Sequence, residues 1–108
     1  MSDNVNHPNH YAKTCSLECI EAMEMIYGLG SVLDYCLLNA FKYVWRYKNK
    51  NGLEDLQKAE WYVNYGLKKI IESNCTDWDI EDRFRSMSEF VEKLLRSQGD
   101  ENGRDKAV

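Results

Sequence analysis

The sequence has no apolar run approaching the 18 or more residues of a membrane span. Its opening, Met1-Ser2-Asp3-Asn4, lacks the charged and apolar regions of a secretory signal. A cytoplasmic protein that makes no use of a membrane is therefore expected. No Gly-x4-Gly-Lys-Ser/Thr loop, Gly-x-Gly-x2-Gly turn or Gly-x-Ser-x-Gly elbow occurs, so the common phosphate cradles and the serine-hydrolase nucleophile are missing. Any phosphoryl chemistry would fall to side chains on helices. Positive charge is also short overall: 14 Lys and Arg against 18 Asp and Glu leave a net −4. Affinity for duplex nucleic acid comes largely from cations that neutralise phosphates, so a dedicated duplex binder is not expected. At 108 residues the chain lacks the length for a second independent domain, and it contains no repeat or low-complexity stretch. A chain this small has few independent clefts, and a homo-oligomer that completes its site between subunits is the expectation.

What is present reads as helix. The polar opening, residues 1–15, holds the only proline, Pro8, and is expected to be an arm or loop ahead of a helical domain over residues 16–98. Ser16 can cap a first helix with Leu17, Ile20, Met23 and Tyr27 at near-helical spacing, before Gly28 and Gly30 stop it. From Ser31 to about Lys48 a longer helix is predicted, with Leu33, Leu37, Phe41, Val44 and Trp45 toward the core. Its other side gathers Tyr35, Asn39, Lys42, Tyr43 and Arg46 in a polar, aromatic face that points away from that core. A turn at Lys48-Asn49-Lys50-Asn51-Gly52 leads into a third helix from Leu53, with Leu56, Ala59, Val63, Leu67 and Ile70 inward. A fourth, from Thr76 or Asp77 to about Ser97, carries Trp78, Phe84, Met87, Val91 and Leu94, and either closes the core or meets another subunit. The expected fold is all-α: a compact helical domain of about four helices around a central helical hairpin. Residues 99–108 are polar, without periodicity, and are expected to form a disordered tail.

The charge distribution says more than its sum. Between Asn39 and Lys69 seven cations, Lys42, Arg46, Lys48, Lys50, Lys58, Lys68 and Lys69, face three acids, Glu54, Asp55 and Glu60, which is +4 locally and −8 elsewhere. A concentrated positive strip in an acidic protein suits a small anion better than an extended polyanion. Lys42 and Arg46 beside Tyr43 supply donors for a phosphate and a flat surface for a base, and Asn39 could bond a base or ribose edge. Asp55, Lys58, Tyr62 and Lys69 line one face of the third helix, which a short turn would bring against the basic face of the second. The competing reading is an ordinary solvated helix face, because charge runs usually are. Asp55 could hold magnesium or act as a base, or simply support the first turn of a helix.

His7, His10, Cys15 and Cys19 have the ligand types of a zinc site, but their spacing matches no zinc pattern, and no metal site is expected. His10 and Tyr11 are better read as residues that fold over a ligand. The four cysteines, Cys15, Cys19, Cys36 and Cys75, are expected as free thiols in a reducing compartment.

The run Asn39-Ala40-Phe41-Lys42-Tyr43-Val44-Trp45-Arg46, the Lys50 turn, the segment Asp55-Leu56-Gln57-Lys58-Ala59-Glu60-Trp61-Tyr62 and the early His10-Tyr11 together resemble the phage family called SaV-like. The resemblance covers His7 to Tyr65, about half the chain. That family includes a coliphage deoxynucleoside monophosphate kinase without a P-loop and a lactococcal phage protein tied to abortive-infection sensitivity. The resemblance implies nucleotide handling during infection, with His10, Tyr11, Asn39, Lys42, Tyr43, Arg46, Lys50, Asp55, Lys58 and Tyr62 as the residues concerned. Three functions fit. The first is a nucleotide-binding protein that captures a mononucleotide or a nucleotide-derived host immune signal at a basic, aromatic intersubunit site, with no cofactor needed. The second is a nucleoside monophosphate kinase that uses magnesium, with Asp55 placing the ion. The third is a module that binds a host defence protein.

Overall fold

The computed structural model describes the backbone of residues 18–107 and the side chains of residues 18–98. The arm, with His7, His10, Tyr11, Cys15 and Ser16, lies outside the described residues. Helix α1 is Cys19–Tyr27, α2 is Leu29–Arg46, a single 3-10 turn spans Tyr47–Asn49, α3 is Leu53–Glu72 and α4 is Trp78–Ala107. Among the described residues there is no strand, and α2 and α3 form the central hairpin. Helix α4 packs on α3 and on part of α2, while α1 lies against α2.

Local chemistry sets the boundaries. The backbone N–H of Glu18 donates to Glu21 Oε1 at 3.3 Å and satisfies one orphan donor at the start of α1. Gly28 ends α1 by donating its N–H to the Glu24 carbonyl, and its φ of +89° swings the chain into α2 at once. Gly30 therefore does not stop a helix, as the sequence reading expects; it lies in the first turn of α2, where helical N–H groups need no intrahelical partner. Asp77 Oδ1 accepts from the N–H groups of Asp79 at 3.1 Å and Ile80 at 3.2 Å, which caps α4 where the sequence places its start.

The core is one cluster drawn from three helices: Val32, Leu33, Cys36 and Ala40 of α2, Ala59, Val63 and Ile70 of α3, and Ile80, Phe84 and Val91 of α4. Helix α3 buries the stripe its periodicity predicts. Helix α2 does not. Phe41 is 52% exposed and Trp45 79%, whereas the small residues Cys36 and Ala40 are wholly buried. Placing residues at 100° intervals puts the observed stripe about a quarter turn from the predicted one. The reason is that α2 is apolar around more than half its circumference, and small side chains at the contact let α3 approach closely. The basic and aromatic residues consequently flank the core and do not face away from it. Tyr35 and Tyr43 pack against the core cluster.

Helix α4 is keyed onto α3 by a hole. A Cβ on Gly66 would overlap the ring of Phe84, so the absence of a side chain at residue 66 makes room for the ring. Phe84 is completely buried there, worth about 2–3 kcal/mol of hydrophobic stabilisation. Trp78, expected inward, is 74% exposed, and Ile80 takes the buried position two residues on. The backbone of α4 is described as far as Ala107.

Candidate functional site

The hairpin turn brings the C-terminal end of α2 onto the first turn of α3. Arg46 sits at the negative end of one helix dipole and Asp55 at the positive end of the next, each favourable for its charge. Arg46 donates from Nε to Asp55 Oδ2 at 3.4 Å and from Nη2 to Oδ1 at 3.3 Å. Asn51 adds its backbone N–H to Oδ2 at 3.2 Å and its Nδ2 to Oδ1 at 3.3 Å. Asp55 is fully buried. Burial alone would raise its carboxyl pKa, but Arg46 and Asn51 together outweigh that and hold it below the usual aspartate value. With four donors on two oxygens, this carboxylate braces Arg46 and the turn, which leaves it poorly placed to bind magnesium or take a proton.

Beside this clasp, cations gather on one ring. Lys42 Nζ is 4.7 Å from the centroid of Tyr43, Arg46 Cζ is 4.8 Å away, and Lys58 Nζ reaches in from α3 at 5.6 Å. Each distance is within cation–π range. Tyr43 in turn stacks on Tyr62 of α3, with centroids 6.0 Å apart and planes at 17°, and Tyr35 meets Tyr62 edge-on at 5.8 Å. Burial, followed by the neighbouring Tyr35, drives the Tyr62 phenol above its ordinary pKa, so it stays protonated. Lys58 shares an i,i+4 ion pair with Glu54 at 3.5 Å. Lys42 is exposed, and no carboxylate among the described residues pairs with it.

The expected convergence of the two basic faces is thus what the geometry shows for Lys42, Tyr43, Arg46, Asp55, Lys58 and Tyr62. Asn39 spends its Nδ2 on the Tyr35 carbonyl at 3.0 Å, which keeps its side-chain oxygen available. Lys50 is exposed in the turn and joins no pair among the described residues. Lys69 goes elsewhere, tying α3 to α1 through Glu24 at 2.9 Å. Two residues that the sequence reading leaves out of the site matter here. Asn51 reads as turn composition only, although an Asn four residues before an Asp at a helix start is well placed to bond it. Tyr35 reads as part of the face but not of the site, and it is the residue against which Tyr62 is packed.

The clustered cations supply donors suited to an anion, and among the described residues no poised nucleophile stands beside them. Burial pushes the Cys36 thiol up to about 12, and Cys36 is inaccessible.

Residues 5–64 match the family model described as a protein of unknown function, DUF3310. Over 66 residues the chain is 35% identical to the Gene 1.7 protein of Enterobacteria phage T3, a match that covers 57% of this chain and 40% of that protein. The matched stretch thus spans well under half of its phage relative. No solved structure matches. The family match takes in Lys42, Tyr43, Arg46, Asp55, Lys58 and Tyr62 and ends inside α3, before Lys68, Lys69 and α4. With more than half of its length inside that model, the chain belongs to the DUF3310 family, a phage-associated family of unknown function.

Proposed function

We propose that this protein binds the phosphate end of a mononucleotide, or of a nucleotide-derived host immune signal, and captures it without chemistry. The supporting observation is the set of three cationic groups from two helices around Tyr43, one of which, Lys42, has no acid partner among the described residues. Asp55 and Glu54 balance Arg46 and Lys58, so Lys42 leaves the cluster with one positive charge in excess for an anion to neutralise. A phosphate accepts charge-assisted hydrogen bonds from several such donors at once. The SaV-like resemblance, which implies nucleotide handling, points in the same direction, and so does a family match that takes in Lys42, Tyr43, Arg46 and Lys58 while leaving out α4. The strip assembles within one chain, so gathering its cations does not require a second subunit. His10 and Tyr11, outside the described residues, are proposed to cover the ligand.

Calorimetry against 5′-mononucleotides, cyclic nucleotides and the parent nucleosides tests this reading. Phosphorylated ligands should bind and nucleosides should not, with Lys42→Ala and Lys58→Ala each weakening affinity about tenfold. Equal binding of nucleosides, or no heat from any ligand, would sink it. The kinase alternative, with magnesium on Asp55, has less support because both oxygens of Asp55 are engaged. Incubation with ATP and each monophosphate decides between them: diphosphate product would put the kinase first. Binding of a host defence protein in place of a nucleotide would appear as a pull-down partner in the absence of any calorimetric signal.

A further inference from the structure

On the side of α2 away from the strip, Phe41 and Trp45 stack with centroids 5.9 Å apart and planes at 22°. They stand in water, with Leu38 at 70% exposure beside them. Between this ridge and α4 runs an open groove of about 740 Å³, whose floor and walls include Leu37, Leu38, Phe41, Met87 and Phe90. About half or more of the side chains of Leu38, Phe41, Trp45 and Phe90 lies uncovered, roughly 500 Å² of apolar surface if each aromatic offers about 200 Å². That is as large as the biggest apolar patch on a typical monomer, and it approaches the ~800 Å² that each partner buries in a stable interface.

We propose that this surface pairs with a second copy of the chain. The patch holds both halves of a self-complementary contact: a projecting indole, Trp45, and next to it a groove with room for an indole. A two-fold interface requires that pairing, because each residue i that meets j on the partner is matched by j meeting i. The charges at the margin fit the same operation. Asp34 on the α2 wall and Arg83 on the α4 wall both line the groove, with Asp82 beside Arg83, and none of the three takes part in an ion pair among the described residues. In a two-fold dimer Arg83 meets the second copy's aspartate at residue 34, twice. An anionic membrane surface would face Asp34 and Asp82, whereas a second copy offers both an arginine and aspartates across the two-fold axis. This interface lies on the opposite side of α2 from the cationic strip and does not depend on what the strip binds.

Sedimentation velocity on the full chain across a dilution series, with circular dichroism as a check on folding, tests the proposal. A reversible dimer is expected, weakened about 100-fold or more by Phe41→Glu or Trp45→Glu with helicity retained. The control Ile71→Glu, at a residue 75% exposed on α3, should leave association unchanged. Arg83→Glu should weaken the dimer and the double variant Asp34→Arg, Arg83→Glu should restore it, a rescue that general loss of folding cannot mimic. A chain that stays monomeric at every concentration overturns the proposal, as does a dimer indifferent to Phe41→Glu and Trp45→Glu. Capture of a different protein by a monomeric chain overturns it too.

Discussion

Arg46 grips Asp55 with two nitrogens across the hairpin turn, and of the two side chains only Arg46 touches water. Removing Arg46 leaves a carboxylate buried with only Asn51 to satisfy it. Arg46→Ala should therefore destabilise the fold by about 2–3 kcal/mol, below the usual cost of breaking a fully buried pair because Arg46 is one-third exposed. Urea denaturation checks this. The practical corollary is that Arg46→Ala confuses lost binding with lost stability, whereas Lys42 and Lys58 test the strip cleanly.

The same clasp sets a dependence on pH. A carboxyl held below its unfolded value, about 3.9 for aspartate, contributes stability that is fully present above that value. It is lost as pH falls through the lower folded value. Asp55→Asn should be less stable than the parent at neutral pH, and the gap should close on acidification below about pH 4. Thermal melts of both proteins from pH 7 downward measure it; a gap that widens in acid would contradict the assignment.

Gly66→Ala should cost about 1–3 kcal/mol, since the added methyl overlaps the ring of Phe84. Phe84→Leu alone should also destabilise, by emptying part of the buried space. Combining the two should cost less than their sum, which a double-mutant cycle in denaturant would read directly.

Thiol labelling gives an internal gauge of opening. Cys19 is exposed, Cys75 is half-buried and Cys36 is buried. Native protein should label rapidly at Cys19, while Cys36, protonated and out of reach, labels only when the core opens. Quantitative mass spectrometry over urea concentration should make the Cys36 rate track global stability.

How legible was this molecule in its residues? The helix count and the α2/α3 hairpin were, because Leu56, Ala59, Val63 and Ile70 recur on one face of α3 at helical spacing, and that face is the one buried. Helix α2 offers no such contrast. Phe41 and Trp45 carry far more apolar surface than Cys36 and Ala40, yet the small pair occupies the contact because close helix approach rewards small side chains there. The convergence of Lys42, Arg46 and Lys58 could be anticipated from spacing plus a short turn. The role of Asp55 could not, because burial and the four donors around it are properties of the assembled turn. Gly66 reads in sequence as an ordinary weak point in a helix, and only the position of Phe84 explains it.

The distance in sequence between Arg46 and Asp55 has a further consequence. Nine residues separate them, and a loop of about that length closes in roughly 10–100 ns, long before distant segments can meet. Lys42, Arg46, Lys58 and Tyr62 all come from the two arms of that loop, so the cluster around Tyr43 is a product of neighbours. The family match ends at residue 64, just past Tyr62 and inside α3, so it holds this local cluster whole while the second half of α3 and all of α4 lie beyond it.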